Sequence, residues 1–143
     1  MRNSWEALPA SPQSDGSGIY HWGEERLYYT ESLTYTYLGK YRKAYAAQQA
    51  ALALYPADNL RSPAQIELHR ALCLVGEGDV IAGARHAQQV ITNLPVMHRI
   101  RPISSLGHKV FRAIPVGKRD EPSVQEYAEC LASAFVVPEI RNR

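Results

Sequence analysis

Apolar residues recur at helical spacing in successive segments of the chain, and glycine or proline separates one segment from the next. The first segment places Leu27, Tyr28, Glu31, Tyr35 and Leu38 at helical spacing, and Gly39 follows it. Such spacing forms one face of an α-helix, and a glycine after the last turn is a common C-terminal cap. The pattern therefore predicts an all-α protein.

Six helices are predicted from this spacing: the first begins between residues 22 and 24 and runs to 38, and the others cover residues 41–55, 63–75, 80–93, 102–113 and 122–134. Ser62 is a good N-cap residue with Pro63 in the first helical position, and Asp79 can cap the fourth helix. In the second helix, Ala44, Ala47 and Ala51 form a stripe of small residues that allows close packing against the first helix.

Two stretches repeat the same pattern of helix, tight turn, helix and closing proline, over residues 29–56 and 69–95. Overlaying Gly39 on Gly78 aligns Tyr41 with Val80, and Pro56 with Pro95. Repeated helix pairs stack side by side, because each pair must bury its apolar faces against a neighbour. The predicted fold is therefore a right-handed superhelix of about three antiparallel helix pairs, in which residues 102–134 form a less typical end unit.

The domain organisation follows from composition. Residues 1–20 contain prolines, glycines and serines and are predicted to be a flexible arm or linker, before a helical repeat domain over residues 21–135. Residues 136–143 are predicted to be a C-terminal tail. The chain has no apolar run of about 20 residues and no apolar core like that of a signal peptide, so a cytoplasmic protein without a membrane partner is expected.

The net charge of +2 is too small to indicate a nucleic-acid partner, but basic residues cluster between residues 97 and 119. This stripe contains no acid, and it is either an anion-binding surface or a solvated helix face balanced by the acids just downstream. Its members are His98, Arg99, Arg101, His108, Lys109, Arg112, Lys118 and Arg119.

No catalytic or metal-binding pattern is present in the sequence. A glycine-rich phosphate loop, HExxH and GxSxG are all missing, and Cys73 and Cys130 have neither CxxC spacing nor clustered histidines. Cys73 lies in the apolar run ALCLV and is expected to be a small buried hydrophobe. We therefore expect a non-catalytic protein with no metal and no cofactor.

A partner-binding groove is expected on the first helix of each pair, which builds the inner surface of such stacks. Tyr29 and Tyr37 either line this groove or belong to the ordinary core. The mixture of aromatic, apolar and cationic groups suits an extended peptide or a helix with an acidic end. The predicted groove residues are Arg26, Tyr29, Leu33, Tyr37, Gln65, Leu68, Leu72, Arg101, Ser104 and His108.

The phrase YLGKYRKAYAAQQAALALYP resembles the tetratricopeptide repeat, with Gly39 before the turn, Tyr41 after it, the small residues Ala44 and Ala51, and Pro56 at the close. More widely, residues 20–132 resemble the C-terminal repeat region of bacterial Xre-type helix-turn-helix transcriptional regulators. That resemblance implies a region that senses a peptide or small ligand, or that mediates oligomerisation. No helix-turn-helix domain precedes these repeats in the chain, so direct DNA binding is not expected.

The expected function is a protein- or peptide-binding module related to the sensor or assembly region of such a regulator. One rival is a homo-oligomerisation domain, because the segment LASAFVV at residues 131–137 is too apolar to remain exposed. A second rival is weak nucleic-acid binding through the basic stripe at residues 99–119.

Overall fold

The computed structural model describes residues 23–135, and in that range the chain forms α-helices joined by turns, without a β-strand. Short 3-10 helices at Val96–His98 and Val116–Lys118 lie in the last two connections. The prediction of an all-α protein is confirmed. The helices are α1 (Glu24–Leu38), α2 (Tyr41–Leu52), α3 (Arg61–Gly76), α4 (Val80–Asn93), α5 (Arg101–Ala113) and α6 (Pro122–Ala134).

Two predicted helix ends are wrong by two or three residues. Helix α2 ends at Leu52 rather than at residue 55, and α3 begins at Arg61, ahead of Pro63. The side chain of Asn59 accepts a hydrogen bond from the backbone N–H of Ser62 at 3.1 Å. Asn59 therefore does the capping that was predicted for Ser62.

The turns after α1 and α3 have the same geometry, which agrees with the overlay of the two glycines. Gly39 and Gly78 have φ of 75° and 96°, in the left-handed region that favours glycine. At each turn the residue after the glycine donates its backbone N–H to a carbonyl five residues earlier, at 2.9 Å in both cases. Equivalent positions in the sequence therefore form equivalent turns.

Helices pack against both their first and their second neighbours along the chain. Helix α1 packs on α2, and α3 on α4, while α3 also contacts α1 and α5. Helices α5 and α6 share fewer contacts with each other than α5 shares with α3 and α6 with α4. The last two helices are therefore held mainly by the middle of the molecule.

The aliphatic core lies between α3, α4, α5 and α6. Gly83 allows α4 to approach α3 closely, because a Cβ atom there would lie 2.6 Å from Val75 Cγ2 and 3.0 Å from the carbonyl oxygen of Ala71. In α2, the predicted small-residue stripe at Ala44, Ala47 and Ala51 is buried. The fully buried aliphatic and aromatic side chains include Leu68, Ile91, Ile103, Val110, Val124 and Tyr127.

The connections before α5 and before α6 are two copies of one structure, which we call the proline-arginine connectors (residues 94–99, LPVMHR, and 114–119, IPVGKR). Each begins with a buried aliphatic residue in extended conformation, continues through a proline and forms a 3-10 turn. Arg99 Nε then donates to the carbonyl of Leu94 at 2.8 Å, and Arg119 Nε to that of Ile114 at 3.1 Å. The arginine thus closes the connector.

The predicted arm at residues 1–20 and the predicted tail at residues 136–143 lie outside the described residues. Over residues 23–135, no helix combines the length and the apolar character needed to cross a membrane.

Candidate binding surface

A row of polar side chains joins α1 to α3, and we call it the polar seam (Tyr29, Ser32 and Thr36 with Gln65, His69 and Cys73). Tyr29 donates its hydroxyl to Gln65 Oε1, and its ring meets the ring of His69 edge-on with centroids 5.3 Å apart. Ser32 Oγ and His69 Nδ1 are 2.8 Å apart. Thr36 Oγ1 lies 3.4 Å from Cys73 Sγ, one turn further along both helices.

Two polar atoms near this seam are buried without a hydrogen-bond partner among the described residues: His69 Nε2 and Gln48 Oε1. The amide nitrogen of Gln48 is directed at Cys73 Sγ, at 3.7 Å. Burial lowers the pKa of His69 to about 4, because the charged imidazolium loses its hydration and gains no acid in exchange. Ser32 and His69 form a hydrogen-bonded pair, but both are fully buried, so a substrate cannot reach them in this conformation.

A cavity of about 590 Å³, which we call the N-terminal cavity, opens where α1 and α3 begin. The loop between α2 and α3 closes its third side. Burial raises the pKa of both Tyr29 and Tyr55, so these phenols stay protonated at neutral pH. The wall consists of Gly23, Glu25, Arg26, Tyr29, Thr30, Tyr55, Pro56, Asn59, Ser62 and Gln65.

A second cavity of about 360 Å³, which we call the Tyr37 cavity, lies where α1, α3 and α5 end. Lys109 Nζ on α5 donates a hydrogen bond to Tyr37 Oη on α1 at 2.9 Å, so these two helices meet across α3. Tyr37 keeps 53% of its surface exposed despite this contact. The wall consists of Thr36, Tyr37, Tyr41, Leu72, Gly76, Lys109, Arg112 and Ala113.

Half of the predicted groove residues lie in the walls of these two cavities. Arg26, Tyr29 and Gln65 line the N-terminal cavity, and Tyr37 and Leu72 line the Tyr37 cavity. Leu33, midway along α1, is half-buried and lines neither.

The assignment of Leu68 to the groove is wrong, because its side chain is fully buried in the aliphatic core and is not accessible to a partner. One residue along a helix rotates the side chain by about 100°, so a small error in the assumed register turns a groove position into a core position. The error affected only one residue of α3, since Gln65 and Leu72 lie in the cavity walls.

The predicted groove residues on α5 lie outside both cavities. Arg101 is exposed at the start of α5, and Ser104 is half-buried. His108 Nδ1 lies 2.8 Å from the carbonyl of Ser104, and its ring is 6.1 Å from that of Phe135, between centroids. Helix α5 instead contributes Lys109 and Arg112, which the prediction missed.

Much of the basic stripe makes intramolecular contacts. Arg99 also donates to the carbonyl of Ala134 at 3.3 Å, which ties the end of α6 to the first connector. Arg119 also lies over the ring of Phe111, 4.7 Å from its centroid. Arg101, Arg112 and Lys118 remain exposed. Most members of the stripe therefore make structural contacts within the chain, and neither of the two readings of its composition predicted these contacts.

Other features have local structural roles. Glu67 hydrogen bonds to His86 at 2.8 Å, and this bond lowers the pKa of the Glu67 carboxyl. Among residues 23–135, no group of three or more histidine, cysteine, aspartate or glutamate side chains could hold a metal ion. Of the apolar end segment, Leu131 is buried in the core, and Ala134 and Phe135 pack against it.

Sequence reasoning missed the polar seam and the connectors. The seam depends on which residues of α1 and α3 meet, and the repeat pattern alone does not give this pairing. The connectors had a visible signal, since LPVMHR recurs as IPVGKR twenty residues later.

The chain was also compared with known proteins. No protein-family model, no curated protein and no solved structure matches it significantly.

Proposed function

We propose that this chain is a non-catalytic helical repeat module whose α1, α3 and α5 bind a protein or peptide partner. In this proposal the six helices form three antiparallel pairs of a tetratricopeptide-like right-handed superhelix. The module is the sensor or assembly region related to a bacterial transcriptional regulator, as the resemblance of residues 20–132 implies.

One observation carries the binding proposal: the Tyr37 cavity draws its wall from α1, α3 and α5 together. A site of this kind forms only when the first helices of successive pairs are placed side by side, which is how stacked helix pairs build a continuous binding surface. The equivalent turns at Gly39 and Gly78 support the same architecture, since the chain leaves α1 and α3 with the same turn geometry.

The chemistry of the Tyr37 cavity favours a peptide that carries an acidic residue beside an apolar one. Lys109 and Arg112 are cations in its wall, and the wall contains no acid. Arginine and lysine bind carboxylates through charge-assisted hydrogen bonds. Tyr37 and Leu72 add aromatic and aliphatic surface, of the kind that anchors peptide side chains at interfaces.

The experiment is a selection of peptides from a random display library against the full chain, followed by affinity measurement with two variants. Tyr37→Ala and Lys109→Glu should each weaken the selected peptides roughly tenfold or more, which corresponds to about 1.4 kcal/mol. Lys118→Glu is the matched control, because Lys118 is an exposed lysine of the same basic stripe outside the cavity. Circular dichroism checks that each variant keeps its helices.

Two results would contradict the proposal. The first is a set of selected peptides whose affinity is lowered as much by Lys118→Glu as by Lys109→Glu, since this places binding outside the cavity. The second is a stable dimer in light scattering, across a wide range of concentrations, that Tyr37→Ala dissociates. In that case the surface joins two copies of the chain, and the homo-oligomerisation rival replaces the proposal.

A further inference from the structure

The N-terminal cavity contains side-chain amides whose hydrogen-bonding capacity is only half used. Gln65 Oε1 accepts the hydroxyl proton of Tyr29, and Asn59 Oδ1 accepts the backbone N–H of Ser62. These bonds fix which end of each amide carries the oxygen, so the NH₂ groups are left as donors. Neither NH₂ group has a hydrogen-bond partner among residues 23–135, and both residues line the cavity.

The same wall carries one acid and one base, Glu25 and Arg26, in the first turn of α1. No hydrogen bond or ion pair joins Glu25 to another described residue. Both charges act on the phenol of Tyr55: Glu25 contributes to raising its pKa, after the larger effect of burial, and Arg26 lowers it. The two charges therefore lie close to the aromatic part of the cavity.

From this arrangement we infer that the N-terminal cavity binds a small zwitterion, a molecule with one ammonium group and one carboxylate on a body of one or two amino-acid residues. The Glu25 carboxylate receives the ammonium. The side-chain amide donors of Gln65 and Asn59 receive the carboxylate. The rings of Tyr29 and Tyr55 pack against the body of the ligand.

The size and composition of the cavity fit this class of ligand. Its volume of about 590 Å³ falls within the roughly 300–1,000 Å³ that small-molecule sites occupy, and such sites combine aromatic surface with a few placed polar groups. A ligand with only an anion would leave Glu25 unmatched, and one with only a cation would leave the amide donors unmatched. A polar group that the ligand covers without giving it a partner weakens binding, so the pairing selects a molecule with both charges.

This inference does not depend on the proposed function, because the N-terminal cavity and the Tyr37 cavity share no wall residue. A peptide partner at the Tyr37 cavity can fail to appear while the zwitterion binds, and the reverse also holds.

The test is a titration of the full ¹⁵N-labelled chain with L-phenylalanine, L-leucine and glycyl-L-phenylalanine, followed by NMR. N-acetyl-L-phenylalanine amide is the matched probe, since it keeps the ring and lacks both charges. The side-chain NH₂ signals of Gln65 and Asn59 should shift with at least one zwitterion, whose affinity should exceed that of the blocked probe by at least about tenfold. An unchanged spectrum with all three zwitterions up to about 10 mM overturns the inference.

A pair of isosteric variants separates recognition of the ammonium from general effects of charge. Glu25→Gln should lower the affinity of the zwitterion about tenfold or more and leave the blocked probe unaffected. Glu24→Gln is the control, because Glu24 is the exposed neighbouring acid and does not line the cavity. Equal losses in both variants, or equal binding of charged and blocked probes, overturn the inference. The comparison of probes on the unaltered chain holds even if a variant fails to fold.

Discussion

Helix α3 is packed differently on its two sides. Toward α1 it presents the polar seam, in which hydroxyl, imidazole, amide and thiol groups meet. Toward α4, α5 and α6 it contributes to an aliphatic core. Apolar packing is non-directional and tolerates shifts, whereas buried polar groups require their partners at short distances. The seam therefore fixes how α1 is placed on α3, and the core provides most of the stability.

The largest expected loss of stability comes from a substitution in the aliphatic core. Ile91→Ala removes a fully buried side chain from α4, and buried isoleucine truncations cost about 2–5 kcal/mol of unfolding free energy. Urea denaturation measures the loss. Ile81→Ala in the same helix is the matched control, because Ile81 is 38% exposed, and its cost should remain within about 0.5 kcal/mol. Similar costs for the two variants would mean that the core does not dominate.

The next largest effect is a pH dependence of stability that arises from His69 in the polar seam. The folded-state pKa of His69, about 4, lies below its ordinary value of 6.5, so the unfolded chain binds more protons between these values. Stability is therefore fully present above pH 6.5 and falls as the pH drops toward 4, by about 3 kcal/mol. Urea denaturation at a series of pH values measures this loss.

A substitution assigns that pH dependence to one residue. His69→Gln should flatten the stability profile between pH 6.5 and 4, because the titrating group is gone. A profile that survives His69→Gln would show that another group is responsible and that the seam is not sensitive to protonation.

A smaller effect is expected from removing the hydroxyl group of Tyr127, a fully buried tyrosine of the aliphatic core. The hydroxyl of Tyr127 donates to the carbonyl of Gly107 at 2.6 Å, and burial raises the pKa of this phenol. Tyr127→Phe removes this donor from a carbonyl that keeps its intrahelical N–H partner, so the expected cost is that of one hydrogen bond, about 1–1.5 kcal/mol. Tyr45→Phe is the matched control, since Tyr45 bonds to Glu77 at the surface. An equal loss in the thermal unfolding of both variants would refute the distinction.

The smallest effect concerns the connectors. Arg99→Lys keeps the charge but cannot bridge the carbonyls of Leu94 and Ala134 in the same way, so we expect a loss of about 1 kcal/mol. Arg101→Lys is the control, as Arg101 is exposed at the start of α5. Chemical denaturation of both variants should show a loss for Arg99 alone.

The sequence predicted the helices well because each is specified locally. Gly39 and Gly78 stop helices through their own backbone freedom, and Pro122 starts α6 at its first residue. The error at Ser62 has a local cause as well, since Asn59 accepts the backbone N–H of Ser62 and the helix already begins at Arg61.

The candidate binding surface was less predictable because it depends on how helices distant in sequence are placed. Tyr29 and Tyr37 were left between groove and core, and the structure places both in cavity walls while Tyr29 also joins the seam. Leu68 was assigned to the groove and lies in the core. Lys109 was read only as part of a basic stripe, because its contact with Tyr37 spans 72 positions and has no sequence signal.

The hydrogen bond between Lys109 and Tyr37 has a consequence for motion. The other side-chain hydrogen bonds between helices described above join residues 19 to 37 positions apart, so each reports only on neighbouring elements. Those bonds join helices that are first or second neighbours along the chain. The Lys109–Tyr37 bond instead joins α1 to α5. It lengthens whenever α1 and α5 spread apart, even if every local contact is intact. A pair of probes at these two positions would therefore measure the separation of α1 and α5 directly.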